Sequence, residues 1–104
     1  MSIHQVTSDE EFEQKTASGL VVVDFFATWC GPCKRVAPAL KRFAAEYEGR
    51  VSFLKVDVDE MPEVTEENEI TAMPTFVFFK DGSEVARVMG AAAEKIKAKI
   101  DQLL

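Results

Sequence analysis

Apolar runs with turn residues between them, alternating with stretches that carry apolar residues at helical spacing or helix-start signals, set out the elements of this chain. Leu20 to Phe26 is apolar on both faces, the mark of a central strand covered on both sides. Val51 to Val58 reads as another strand. Thr75-Phe76-Val77-Phe78-Phe79 and Ser83 to Val88 flank Asp81-Gly82, a strong hairpin signal. Ile3 to Val6 predicts a short edge strand, with His4 an ordinary surface residue. Between these runs the period changes. Ser8-Asp9-Glu10-Glu11 is a capping box opening a helix that Ala17-Ser18-Gly19 closes. Val36, Leu40, Phe43, Ala44 and Tyr47 form one helical stripe ended by Gly49 and Arg50, and Pro38 inside it predicts a bend. Asp59 to Pro62 starts a short acidic helix over Glu63 to Glu69. The closing helix puts Ile96, Ile100, Leu103 and Leu104 on one face, with Lys95, Lys97 and Lys99 outward. The order is βαβαβαββα. Alternating units imply parallel strands with crossover helices, and the hairpin adds an antiparallel pair: an α/β fold with a mixed five-stranded sheet between four helices.

Two charges interrupt the apolar pattern. Asp24 shares a strand face with Leu20 and Val22, so its carboxylate is expected in low dielectric with a raised pKa. Lys55 lies among apolar neighbours of the next strand. It either snorkels to solvent or supplies a cation near Asp24, and the sequence leaves both open.

The chemistry is concentrated in Trp29-Cys30-Gly31-Pro32-Cys33-Lys34, which holds both cysteines of the chain where a strand gives way to a helix. A helix's first turn has unpaired N–H groups and the positive end of its dipole, so a thiolate at Cys30 is favoured there. Residues i and i+3 share a helical face, so the sulfur of Cys33 can reach that of Cys30 and a reversible disulfide is possible. Cys30 is expected at the exposed tip as attacking thiolate, and Cys33 nearly a turn inside as resolving thiol. A structural staple would close too short a loop to gain much entropy. A zinc site lacks ligands, since His4 is the one histidine, and far away in sequence. A pair of plain core cysteines does not explain the Gly-Pro between them. A redox role outweighs all three.

The 104 residues fit one domain, 1–104, and 47% apolar with 29% charged residues is the balance of a soluble globular protein. A net charge of −6, with Lys and Arg spread along the chain, speaks against nucleic acid or an anionic membrane as partner. No apolar run is long enough for a membrane span. Met1 to Val6 lacks a basic region followed by an apolar core, so no secretory signal is read and the cytoplasm is the expected compartment.

Taken together, Val23-Asp24-Phe25, Ala27-Thr28-Trp29-Cys30-Gly31-Pro32-Cys33-Lys34, Met73-Pro74-Thr75 and Gly90 resemble the thioredoxin family, from end to end of the chain. The resemblance implies a thioredoxin fold and a monomeric protein-disulfide reductase. In it Cys30 attacks a client disulfide, Cys33 displaces the reduced client, and Asp24 takes the proton of Cys33. Lys55 aligns with the family's lysine near that carboxylate. Pro74 aligns with its cis-proline, leaving the Met73 backbone free for an extended client segment, and Trp29, Gly31, Pro32, Met73 and Gly90 would make the client-binding surface. No bound cofactor or metal is implied. NADPH is used indirectly, through thioredoxin reductase, and the clients are of peroxiredoxin, ribonucleotide reductase or methionine sulfoxide reductase type. Pro32 favours reduction, because oxidising relatives carry histidine beside the second cysteine. An isomerase or oxidase, and a binding module with an incidental redox pair, are the competing readings. Phe26 departs from the tryptophan of many members. Met61, Asn68 and Ala72 occupy the region where animal cytosolic members often carry extra cysteines.

Overall fold

The computed structural model describes residues 3–104; Met1 and Ser2, at the head of the stretch read for a signal, lie outside the described residues. Nine elements follow in the expected order: β1 (His4–Gln5), α1 (Asp9–Thr16), β2 (Leu20–Phe26), α2 (Gly31–Glu46), β3 (Val51–Asp57), α3 (Pro62–Glu67), β4 (Thr75–Lys80), β5 (Ser83–Met89) and α4 (Ala93–Leu103). They build one sheet of order β1-β3-β2-β4-β5. Strands β1, β3 and β2 run parallel, and β4 and β5 add antiparallel to β2 and to each other. The continuous apolar run of β2 is thereby explained: it is the central strand, with every residue from Leu20 to Val23 buried.

Alternation along β2 divides the core in two. Leu20 and Val22 face a cluster with Val36, Leu40 and Phe43 of α2 and Ile96 and Ile100 of α4, while Val21, Val23 and Phe25 face Phe12 of α1 and Val64 of α3. Ile96 and Ile100 are wholly buried. Ile100→Ala is expected to lower stability by about 3 kcal/mol, read as a fall in urea midpoint with the slope unchanged.

The Asp81-Gly82 hairpin forms as its residues dictate. Both take positive φ, 51° and 90°, as a two-residue turn between right-twisted strands requires. The Asp81 carboxylate accepts the Gly19 amide at 2.9 Å and so fixes the turn to the start of β2.

Local differences from the sequence expectation have simple causes. Ser8 caps α1 by accepting the Glu11 amide, but the Glu11 carboxylate accepts from Thr7 rather than from Ser8, so the reciprocal half of the box is displaced by one residue. Leu104 is half exposed, beyond the last helical residue and off the apolar face. Lys97 does not point freely outward: it donates to Glu46 at 2.9 Å and to the Tyr47 hydroxyl, tying α4 to the end of α2.

Candidate functional site

The two cysteines lie where β2 hands over to α2. Cys30 is the N-cap of α2, and the Cys33 N–H, one of the amides that an α-helix leaves without an internal partner, donates to Cys30 Sγ at 3.2 Å. The sulfur occupies the place that a serine or aspartate oxygen takes at ordinary helix starts. Cys30 and Cys33 are joined as a disulfide, with Cα atoms 5.3 Å apart. Proline at the start of α2 costs no hydrogen bond, because its missing N–H would have had no partner.

The exposed tip expected for Cys30 is not what is found. Cys30 is 5% exposed and Cys33 6%. Both pack with Ala27 against the partly buried Phe26, Val58 and Met73, and Cys30 Sγ lies 3.7 Å from the Met73 carbonyl oxygen. In the disulfide that sulfur has no proton, so this is a contact and not a donated bond. The exposed group is Trp29, at 65%, whose indole N–H donates to the Asp59 carboxylate at 2.9 Å.

Met73-Pro74 is a cis peptide bond, with Pro74 buried and Met73 half-buried beside the sulfurs. Gly90 donates its N–H to the Pro74 carbonyl at 2.8 Å. Its φ is +93°, a backbone that side-chain-bearing residues rarely adopt, while the space where a Cβ would stand is open. Gly90 is therefore required by the backbone and not by crowding. The resemblance-based residues Trp29, Gly31, Pro32, Met73, Pro74 and Gly90 thus fall within elements and loops that meet at the cysteine end of the sheet. Met89, the last residue of the edge strand β5, is 63% exposed, which the sequence pattern does not single out.

Behind the disulfide is a hollow of about 360 Å³ lined by Asp24, Phe26, Ala27, Thr28, Cys33, Lys34, Ala37 and Lys55. Asp24 and Lys55 are in register on adjacent strands, which answers whether they are neighbours. They make no ion pair among the described residues. The Lys55 ammonium lies over the Phe26 ring, 5.6 Å from its centroid, and Asp24 Oδ1 is buried without a hydrogen-bond partner. Burial raises the Asp24 carboxyl to about 7, and the nearby Lys55 charge only partly opposes this. Asp24 therefore changes protonation near neutral pH, in the same hollow as Cys33.

Among the described residues no cluster of three or more His, Cys, Asp or Glu side chains could hold a metal, and no helix is long and apolar enough to cross a membrane.

The sequence family described as Thioredoxin matches residues 3–102. The chain is 49% identical over 100 residues to thioredoxin-2 of Saccharomyces cerevisiae, covering 94% of this chain and 95% of that one. Among solved structures, it superposes on Plasmodium falciparum thioredoxin with a TM-score of 0.94 at 46% identity, covering 98% of this chain and 100% of the other. A chain from a structure of the thiol-resolving mechanism of yeast mitochondrial 1-Cys peroxiredoxin via the glutathione and thioredoxin systems gives 0.92 at 40% identity, covering 97% and 95%. The disulfide at the mouth of α2, the mixed sheet that positions it and these matches together make the chain a member of the thioredoxin family, a thiol-disulfide oxidoreductase.

Proposed function

We propose that the protein is a reductase of protein disulfides in which Cys30 is the nucleophile and Cys33 the resolving thiol. The observation that carries this reading is the Cys33 amide aimed at Cys30 Sγ. In the reduced protein the same amide and the helix dipole favour negative charge on Cys30 over the thiol. The Cys30 thiolate attacks one sulfur of a client disulfide, forming a mixed disulfide and releasing the other client sulfur as a thiolate. Cys33 then loses its proton to Asp24, attacks Cys30 Sγ and expels the second client sulfur. The client gains two electrons and leaves as two thiolates, which take one proton back from Asp24 and one from water, and the Cys30–Cys33 disulfide remains. An acceptor that titrates to about 7 suits a thiol proton better than an ordinary carboxylate would.

Trp29 precedes the cysteine pair and Met73 packs on it, and main-chain pairing of an extended client with Met73, whose carbonyl lies 3.7 Å from Cys30 Sγ, would bring the client disulfide to the nucleophile. Return to the dithiol needs a donor, and we assign this to a flavin-containing, NADPH-dependent thioredoxin reductase. The clients are disulfides of the peroxiredoxin, ribonucleotide reductase and methionine sulfoxide reductase type; a neighbouring structure from a peroxiredoxin system supports the first of these. A pair that must be reduced in every cycle suits a reducing compartment, the cytoplasm, and a monomer that leaves the sulfurs approachable.

The test is a coupled assay of NADPH consumption with thioredoxin reductase and a disulfide-bonded protein. Wild type is expected to turn over, and Cys33→Ala to stop at a mixed disulfide that survives denaturation and is released by a small thiol. The reduction potential is expected near about −270 mV, the value characteristic of thioredoxins; about −180 mV, that of the isomerase class, would reject the reductase reading.

A further inference from the structure

Asp24 and Lys55 stand directly opposite each other in register, yet the ammonium is not on the carboxylate. It lies over the Phe26 ring, two residues along β2 on the same face as Asp24. The face of an aromatic ring attracts a cation, and at a partly desolvated site that attraction competes with an ion pair whose partner is itself costly to charge. Phe26 is half-buried and packs against the cysteine pair, so its ring has a fixed place. We propose that Phe26 is a positioning residue, whose ring holds the Lys55 ammonium off the Asp24 carboxylate and so sets how tightly Asp24 keeps its proton.

This rests on the reading of Asp24 as proton acceptor for its use, though not for its geometry. The other groups that face the hollow are Cys33, which carries no proton in the disulfide, and Lys34 of α2, and the β4 neighbour of Asp24 is the uncharged Phe76. A direct contact would favour the carboxylate and hold it ionised to lower pH. Held on the ring, the ammonium leaves Asp24 protonated up to the range in which a thiol proton is exchanged.

The test is an NMR titration of the Asp24 carboxyl carbon in the oxidised protein, for wild type, Phe26→Leu, Phe26→Tyr, Lys55→Met and Phe26→Leu with Lys55→Met. Phe26→Leu frees Lys55 to reach Asp24 and is expected to lower its midpoint by about one pH unit. Phe26→Tyr keeps the ring and is expected to leave the midpoint in place. In the Lys55→Met background Phe26→Leu is expected to have no effect. An unchanged midpoint in Phe26→Leu overturns the proposal, as does a fall that persists without Lys55, which would be an effect of added water. The pH profile for resolution of the mixed disulfide is measured on the same variants. If the titration moves and that profile does not follow, the role of Asp24 in resolution fails while the placement of Lys55 by Phe26 stands.

Discussion

Cys30→Ser is expected to lower disulfide-reducing turnover by about a thousandfold or more, with the reduced fold within ~1 kcal/mol of wild type. The two halves of this expectation have separate causes. A serine hydroxyl is essentially un-ionised near neutral pH and does not attack disulfide sulfur, whereas the thiolate does. Serine is also among the best N-cap residues, so its oxygen can take over the Cys33 amide that Cys30 Sγ now accepts. The loss is therefore chemical and not structural. Turnover of the coupled assay and a urea denaturation curve on the same reduced preparations check both halves. Survival of more than a tenth of the activity would favour a binding module whose redox pair is incidental.

Asp24→Asn is expected to slow resolution of the mixed disulfide by about a hundredfold near neutral pH, because the group proposed to accept the Cys33 proton is gone. The same change is expected to stabilise the oxidised protein, with a definite dependence on pH. The Asp24 carboxyl titrates at about 7 when folded, against 3.8 as an ordinary carboxyl. Below 3.8 both states hold the proton, and the stability that Asp24 contributes is fully present. As pH rises the unfolded chain gives up its proton first, and stability falls until the folded carboxyl also ionises near 7. The difference between about 7 and 3.8, at about 1.4 kcal/mol per pH unit, amounts to about 4 kcal/mol lost by pH 8. Asparagine has no such loss, though its buried amide wants a partner at a cost of about 1–3 kcal/mol. Wild-type stability relative to the variant should thus be highest near pH 4 and decline toward pH 8. Denaturant midpoints across this range check it, and a flat difference would mean that Asp24 is ordinary in the folded state.

The strand and helix order could be read from the chain because the local signals agree with one another. Leu20 to Phe26, apolar on both faces, had to be a central strand, and Asp81-Gly82 left β4 and β5 little choice but a hairpin. The raised carboxyl of Asp24 was legible too, since a lone acid on an apolar strand face has few other places to go. What escaped the sequence depends on side-chain direction in three dimensions. Cys30 is covered because its sulfur turns inward to Cys33, with Met73 arriving from a distant segment. Lys55 could have met Asp24 or solvent; that it rests on Phe26 follows from where the strand register places that ring. The helical period puts Lys97 on the outward face of α4, yet α2 brings Glu46 and Tyr47 within reach of it.

The proposed function rests on one sulfur, Cys30 Sγ, which accepts the Cys33 amide in the opening turn of α2 and which that amide would favour as a thiolate in the reduced protein. The direct measurement is the thiol pKa of Cys30 in the reduced protein, from the pH dependence of its alkylation rate with the modified cysteine identified by mass spectrometry. A value within about 3.5–7.5, the range for thiols at helix N-termini and in Cys-x-x-Cys pairs, is the result expected. A value near about 8.5, that of a cysteine in a short peptide, would contradict it.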